Sequence, residues 1–257
     1  MEEKWTDTEV SEKAEATPSG TAEVVEKTEE APLKKQFFIG VWDYTVILTY
    51  LGFIAAISGI IFALTKNPIT NERWSIYIPV FCLMFAGLCD MFDGAVAKTK
   101  KGRTAHERSF GEQIDSLSDI VSFGVLPAVI GYRVAFFQPY WIILLAFYCL
   151  MALVRLAHFN VEEEERKAQG GGKRTFYYGL PMTNAAWIFP MLFCFKPLLG
   201  KYFGYLYALG LLVVGFLFVY KFKMIKITGK RLIWIALSGA VVFAVILILG
   251  FTLHIEW

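Results

Sequence analysis

The sequence predicts an all-α membrane protein, a polytopic bundle of helices that cross the bilayer several times. Of its 257 residues, 56% are hydrophobic and 19% are charged. Soluble domains carry about 45–50% apolar and about 25% charged residues. The apolar residues also form runs of about 18–23 residues, the length of helix that crosses about 30 Å of hydrocarbon. We place seven spans at 44–64, 74–94, 114–135, 140–160, 180–199, 203–220 and 232–253.

Residues 1–36 differ in composition from the rest of the chain. They hold ten acidic and five basic side chains and few large apolar ones. Such a composition cannot bury enough apolar surface to offset the entropy lost on folding, so we expect a disordered tail. We therefore predict three regions: an acidic tail at 1–36, a transmembrane domain at 37–220, and a basic loop with a last span at 221–257.

The basic residues of the short connections predict which side of the membrane each connection faces. With the N-terminus in the cytosol, sixteen lysines and arginines lie in connections on that side, against five on the other. Because cytosolic loops are enriched in Lys and Arg, we predict a cell-membrane protein with a cytosolic N-terminus. The formal charge of +2 gives no reason to expect a nucleic-acid partner.

Four aspartates interrupt the second and third spans near their predicted cytosolic ends. Asp90 and Asp93 close the second span, and Asp115 and Asp119 open the third. Spacings of three and four residues place each pair on one helical face, and antiparallel neighbours can turn these faces together. Converging carboxylates repel one another, so bound cations are expected, and oxygen ligands favour Mg²⁺ or Mn²⁺.

Small and basic residues surround these aspartates. Gly94 and Ala97 follow the first pair and Gly111 precedes the second, which lets a ligand approach the backbone closely. The connection between the two spans also carries the cations Lys98, Lys100, Lys101, Arg103 and Arg108. Cations beside a carboxylate–metal cluster favour a substrate that carries phosphate. The pattern therefore indicates metal-assisted phosphoryl-group chemistry at the cytosolic membrane surface.

The segments around the aspartates resemble a known enzyme signature. The motif D-x-x-D-G-x-x-A-R…G-x-x-x-D-x-x-x-D of CDP-alcohol phosphotransferases is similar to Asp90-Met-Phe-Asp93-Gly94-Ala-Val-Ala97-Lys98 and Gly111-Glu-Gln-Ile-Asp115-Ser-Leu-Ser-Asp119. The resemblance implies six core transmembrane helices, so that the span at 232–253 is an addition. It also implies transfer of a phosphatidyl group from a CDP-lipid to an alcohol, with release of CMP.

Three further phrases resemble the phosphatidylserine synthase branch of that family. They are Ser122-Phe123-Gly124-Val125 with Pro127, Arg155-Leu-Ala-His-Phe-Asn160-Val161, and Gly179-Leu180-Pro181. The resemblance implies CDP-diacylglycerol and L-serine as substrates among membrane lipids, and leaves a homodimer open. Glycerol 3-phosphate, an inositol compound or choline remains open as the acceptor, as does an archaeal diether donor. An ion-coupled transporter is the remote alternative.

The resemblance also assigns roles to the four aspartates. It implies two divalent cations, one held by Asp90, Asp93 and Asp115 and the other by Asp90, Asp115 and Asp119. Asp119 is also expected to act as the general base toward the acceptor hydroxyl.

Other positions are expected to bind the substrates. The resemblance implies that the CDP-lipid contacts Gly94, Ala97, Lys98, Gly111, Asp43, Thr45, Thr49, Arg108 and Ser109. Arg155 lies deep in the fourth span, where an unpaired guanidinium is costly, and with Asn160 it is a candidate for binding the acceptor or a phosphate. Two positions depart from the family pattern, because Lys98 stands in place of an arginine and Thr49 in place of an asparagine.

Overall fold

The helices of the protein confirm the predicted all-α class. The computed structural model describes residues 39–65, 72–135, 140–170, 176–225 and 230–252. The α-helices are α1 Ile47–Leu64, α2 Glu72–Ala97, α3 Ala105–Asp119, α4 Leu126–Val134, α5 Trp141–Ala168, α6 Ala185–Phe193, α7 Lys196–Leu199, α8 Phe203–Val219 and α9 Lys230–Thr252. A π-helical stretch at Ile120–Val125, here called the π segment, joins α3 to α4. Short 3₁₀ turns at Met182–Asn184 and Gly200–Tyr202 precede α6 and α8.

Five helical stretches in the described residues are long and apolar enough to cross a membrane. They are Ile47–Leu64, Ser75–Ala97, Ala105–Val134, Trp141–Ala168 and Lys196–Val219. These stretches match five of the seven predicted spans and confirm a polytopic helical bundle. The predicted span at 180–199 contains the shorter apolar stretch Met182–Phe193, and the last span falls on α9, with its described apolar part at Leu237–Leu249. The count of six core spans plus one stays a prediction.

Small residues allow α1 to lie against its neighbours. The buried positions of α1 are Thr49, Gly52, Ala56, Gly59 and Ala63, which recur every three or four residues along one face. The opposite face exposes isoleucines and leucines. Interfaces between membrane helices are rich in small residues because close approach of the backbones improves packing where lipid is already apolar. The sequence of α1 thus suits a helix with one face on protein and one on lipid.

A short pair of strands was not predicted. β1 Phe176–Tyr178 and β2 Lys223–Ile225 pair antiparallel, with Tyr177 opposite Met224. The pairing continues beyond the strands, because the Gly179 N–H donates to the Phe222 carbonyl at 2.8 Å. Gly179 has a φ of +74°, and a Cβ atom there would lie 3.0 Å from the Phe218 carbonyl oxygen. This glycine is therefore required where the chain after α5 meets the end of α8.

Three of the connections predicted to be cytosolic meet at one end of the bundle. The Lys100 Nζ lies 2.6 Å from an Asp43 carboxylate oxygen, and the Lys167 Nζ lies 2.5 Å from the Glu112 carboxylate. The membrane side that this end faces stays a prediction. The predicted acidic tail at 1–36 lies outside the described residues, and the division of the chain into three regions also stays a prediction.

Candidate functional site

The predicted aspartates come together between α2 and α3. One carboxylate oxygen from each of Asp90, Asp115 and Asp119 lies within 4.8 Å of the other two. These three residues are here called the aspartate triad. Asp93 is only 8% exposed and accepts a hydrogen bond from the Thr49 hydroxyl at 3.2 Å. Asp93 and Asp115 line a common cavity. All four predicted ligands therefore border one small volume.

The connection from α2 to α3 sets where Asp115 and Asp119 lie. Thr104 caps α3 and forms a reciprocal pair with Glu107, with hydrogen bonds of 3.1 and 3.2 Å. Lys100 donates to Glu107 at 3.1 Å and to Asp43, which ties the start of α3 to the segment before α1. A cap of this kind stabilises a helix by about 1 kcal/mol. Thr104 and Glu107 were not predicted to shape the site, although T-x-x-E is a recognisable capping signal.

The aspartate triad suits a hard divalent cation. Its donors are all carboxylate oxygens, which Mg²⁺ and Mn²⁺ prefer. The three residues are neither fully buried nor fully exposed, so they remain accessible to an ion. The triad is the second of the two ligand sets implied by the resemblance. In the described part of the chain, no comparable group contains Asp93.

A cavity of about 600 Å³ opens on one side of the aspartates, and because charged and hydroxyl side chains form much of its wall it is here called the polar cavity. Seven of the nine residues predicted to contact the CDP-lipid line it: Thr45, Thr49, Gly94, Ala97, Lys98, Arg108 and Gly111. Lys100 and Arg103 line it as well and increase its positive charge. Lys98 and Arg108 are exposed, so their charges reach the mouth of the cavity.

Asp43 and Ser109, the other two predicted lipid contacts, do not line this cavity. Asp43 accepts hydrogen bonds from the Thr45 N–H at 2.8 Å, from the Thr45 hydroxyl and from Lys100. Partial burial raises the pKa of Asp43, but the hydrogen bonds from Lys100 and Thr45 outweigh it and hold the pKa below its ordinary value. Ser109 is exposed on α3. Asp43 thus supports the wall of the cavity through Lys100 and Thr45.

Gly94 and Gly111, both predicted to face the ligand, differ in what occupies the space beside them. A Cβ atom at Gly94 would meet nothing within 4 Å, so Gly94 leaves the cavity open beside Asp93. A Cβ atom at Gly111 would lie 2.7 Å from the Arg103 Nη2. The same nitrogen donates to the Glu107 carbonyl at 3.1 Å. Gly111 therefore makes room for the Arg103 guanidinium, which the sequence analysis did not foresee.

A second, mainly apolar cavity of about 740 Å³ lies on the other side of the aspartates. Asp90, Asp115 and Asp119 all line it, so Asp115 borders both cavities. Among the described residues, Arg155 is the cation in its wall. Residues of α9, among them Gly239 and Phe243, form part of the same wall. No role for this last helix was predicted from the sequence.

The structure separates the two predicted acceptor-binding residues. Arg155 is 6% exposed, its Nε donates to the Leu180 carbonyl at 2.9 Å, and its guanidinium carbon lies 5.8 Å from the centre of the Phe159 ring. Asn160 accepts a hydrogen bond from the Ser116 hydroxyl at 3.2 Å and does not line the apolar cavity. Thr183 and Asn184, which the sequence analysis did not name, do line it.

Comparison with known proteins identifies the family. The sequence model of the CDP-alcohol phosphatidyltransferase family matches residues 44–246. The chain belongs to this family. The match includes α1 to α8 and most of α9, so it covers every residue of the aspartate triad and of both cavities. Membership of a transferase family favours the transferase interpretation over the ion-coupled transporter.

Several curated proteins are similar to this chain. The CDP-diacylglycerol–serine O-phosphatidyltransferase of Saccharomyces cerevisiae is 34% identical over 158 residues, which are 60% of this chain and 54% of the yeast protein. The archaetidylserine synthase of Methanothermobacter thermautotrophicus is 41% identical over 105 residues, 40% of this chain and 41% of that protein. The chain thus spans about half the length of these two relatives. The CDP-diacylglycerol–serine O-phosphatidyltransferase of Methanocaldococcus jannaschii is 28% identical over 198 residues, 74% of this chain and 89% of that protein.

Proposed function

We propose that this protein transfers a phosphatidyl group from CDP-diacylglycerol to the hydroxyl of L-serine, giving phosphatidylserine and CMP. The observation that carries the proposal is the aspartate triad, which lies between the polar cavity and the apolar cavity in a chain of this family. The names of the yeast and Methanocaldococcus relatives support serine as the acceptor. The proposal includes two divalent cations, Mg²⁺ or Mn²⁺, and an active site on the cytosolic side of the cell membrane.

The two cavities match the two halves of an amphipathic donor. The polar cavity offers Lys98, Arg103 and Arg108 to the diphosphate of a CDP group, and Gly94 leaves room beside it. The apolar cavity offers aromatic and aliphatic side chains to acyl chains. Because Asp115 borders both, a donor that occupies the two cavities places its diphosphate at the triad.

The aspartates have distinct tasks in this reaction. Asp90, Asp93, Asp115 and Asp119 would together hold two cations, which when bound would neutralise charge on the diphosphate. Asp119, which faces the apolar cavity, accepts the proton of the serine hydroxyl as its oxygen bonds to the β-phosphorus. The bond from that phosphorus to the CMP oxygen breaks, and CMP leaves with the electron pair. Thr49 keeps the Asp93 carboxylate in place through its hydroxyl.

Arg155 is proposed to bind the carboxylate of serine. It contributes positive charge to the cavity that contains Asp119, and its hydrogen bond to the Leu180 carbonyl holds its side chain in place. An arginine can form two parallel hydrogen bonds to a carboxylate. Serine has a carboxylate, whereas choline and inositol have none. Arg155 therefore favours an acceptor that carries an anionic group, such as the serine carboxylate, over choline or inositol.

A diether lipid donor is the second candidate. It is favoured by the 41% identity to the archaetidylserine synthase of Methanothermobacter thermautotrophicus. Both donors share the CDP group and differ in their lipid part, so the polar cavity suits either one.

An acceptor and donor screen tests the proposal. Purified protein in detergent is given Mg²⁺ or Mn²⁺, CDP-diacylglycerol or its diether analogue, and one acceptor at a time from serine, glycerol 3-phosphate, inositol and choline. We expect CMP release and a new phospholipid with serine alone. Arg155→Lys keeps the charge but loses the paired hydrogen bonds, so it should raise the KM for serine more than the KM for the donor. CMP release with only another acceptor would refute the serine assignment and leave the family assignment intact.

A further inference from the structure

The helix that carries Asp115 and Asp119 changes its winding directly after Asp119. The Ile120 N–H donates to the Ser116 carbonyl four residues earlier, as in an α-helix. The Leu126 N–H donates to the Val121 carbonyl five residues earlier, which is the π-helical pattern. One extra residue in the turn rotates everything beyond it by about 100° relative to a continuous α-helix.

This rotation matters because two faces of the same span must point to different places. Asp115 and Asp119 point toward Asp90 at the triad. Beyond the π segment, Leu126 and Ile130 are at most 1% exposed and belong to the hydrophobic core. The π segment lets both arrangements exist in one helix, so its winding sets the direction of Asp119 relative to the core.

A proline deprives the π segment of a hydrogen-bond donor. Pro127 has no N–H, so it cannot donate to the Phe123 carbonyl four residues earlier, as an α-helical residue would. A buried carbonyl that lacks a donor costs about 1–3 kcal/mol. The Tyr148 hydroxyl of α5 donates to this carbonyl at 2.8 Å. Tyr148 is 0% exposed and Phe123 is 1% exposed, so water does not compete.

A second contact joins α5 to the π segment. The Cys149 thiol lies 3.6 Å from the Gly124 carbonyl. A Cβ atom at Gly124 would lie 2.9 Å from the Ile120 side chain and 3.3 Å from the Ala152 Cβ, so glycine permits α5 to come this close. The phrase Ser122-Phe123-Gly124-Val125 with Pro127, which the proposed reaction does not use, thus has a physical role. It creates a π segment that depends on donors from α5.

We propose that Tyr148 is a positioning residue that acts on Asp119 through the π segment. Its hydroxyl stabilises the π-helical winding, and this winding directs the Asp119 carboxylate toward Asp90 and Asp115. Without the hydroxyl, the Phe123 carbonyl must take a donor other than the α-helical one, which Pro127 lacks, so the winding of the π segment shifts and Asp119 turns away from the other two aspartates. The consequence for catalysis rests on the proposed function, but the consequence for metal binding does not.

A matched pair of variants tests this role. Tyr148→Phe removes the hydroxyl that holds the π segment. Tyr207→Phe removes another fully buried hydroxyl, which donates at 3.0 Å to the Pro127 carbonyl of the same span, beyond the π segment. Each change leaves the ring in place and deprives one helical carbonyl of a donor. We therefore expect similar losses of thermal stability from the two variants.

Mn²⁺ binding separates positioning from stability. Free Mn²⁺ is measured by electron paramagnetic resonance during titration of each purified protein in detergent, with CMP release followed in parallel. Loss of a group that orients a metal ligand costs about 10–100-fold in affinity, so we expect that loss for Tyr148→Phe and less than about a twofold change for Tyr207→Phe. Equal changes in Mn²⁺ affinity for the two variants, or none for Tyr148→Phe, would overturn the proposal.

A third variant applies if Tyr148→Phe does not fold. Pro127→Ala returns an N–H opposite the Phe123 carbonyl and allows the turn to rewind as α-helix. It should keep or raise the melting temperature while weakening Mn²⁺ binding, and unchanged Mn²⁺ binding would overturn the proposal. If the unmodified protein releases no CMP, the proposed reaction fails while the Mn²⁺ comparison still decides the role of Tyr148. Absence of Mn²⁺ binding by the unmodified protein would refute both the metal assignment and this role.

Discussion

Replacing Asp115 with asparagine is expected to stabilise the metal-free protein and to remove its response to divalent cations. Asp115 belongs to the aspartate triad, in which one carboxylate oxygen of each residue lies within 4.8 Å of an oxygen of the other two. Three negative charges at this distance destabilise the folded protein unless a cation neutralises them. An asparagine has nearly the same shape and carries no charge, so it relieves the repulsion and loses the ligand.

The size of the effect follows from the distance. Two unit charges 4.8 Å apart repel by about 3.5 kcal/mol at an effective dielectric constant of about 20. Asparagine removes two such pairs, but proton uptake and small movements already relieve part of the repulsion in the unmodified protein. We therefore expect a net gain of about 1–3 kcal/mol, or a rise in melting temperature of about 2–12 °C.

Thermal unfolding in detergent, with EDTA or with Mn²⁺, measures the effect. The unmodified protein should melt at a higher temperature with Mn²⁺ than with EDTA, because ligand binding stabilises the folded state. Asp115→Asn should melt higher than the unmodified protein in EDTA and should not respond to Mn²⁺. Its CMP release should fall by at least about a hundredfold, as expected for loss of a metal ligand.

Glu112→Gln is the control for removal of a negative charge near the same site. Glu112 is exposed on α3, three residues before Asp115, and pairs with Lys167 outside the triad. It should show no gain of stability in EDTA and should keep the Mn²⁺ response. If Asp115→Asn melts at a lower temperature than the unmodified protein in EDTA, repulsion among the triad carboxylates does not destabilise the metal-free protein. If it keeps the Mn²⁺ response, Asp115 is not a ligand.

Three further predictions concern the base, an ion pair and the orientation. Asp119→Asn should lower CMP release by about 10²–10⁴-fold and leave CDP-diacylglycerol binding within about threefold. A parallel loss in equilibrium binding would identify Asp119 as mainly a ligand. Asp43→Asn should lower the melting temperature by removing the ion pair with Lys100. Burial raises the pKa of Asp43, but hydrogen bonds from Lys100 and Thr45 outweigh it and hold the pKa below the usual 3.8. The difference in melting temperature between the two proteins should therefore be complete at pH 7 and should fade as the pH of the melt falls below 3.8. A cysteine in place of Lys101 should react with a membrane-impermeant thiol reagent only from the cytosolic side, and a cysteine at position 69 only from outside. Labelling of the cysteine at position 101 from outside would refute the predicted orientation.

The membrane class and the pairing of the aspartates could be predicted from the amino-acid sequence alone. Both depend on local properties of one helix. The length of an apolar run decides whether it can cross the bilayer, and a spacing of three or four residues decides whether Asp90 and Asp93, or Asp115 and Asp119, share a face. The signature segments around them also indicated the family, which the match over residues 44–246 confirmed.

Contacts between residues far apart in the chain could not be predicted in this way and emerge from the packing of the helices. The Thr49 hydroxyl reaches Asp93 across 44 residues, and Lys100 reaches Asp43 across 57. These contacts depend on the angle and register at which helices pack, which the apolar pattern of each helix leaves open. The strands at 176–178 and 223–225 are too short to show an alternating pattern. The π segment likewise depends on Tyr148 of another helix, because the donor that replaces the missing N–H of Pro127 must come from a neighbour in space.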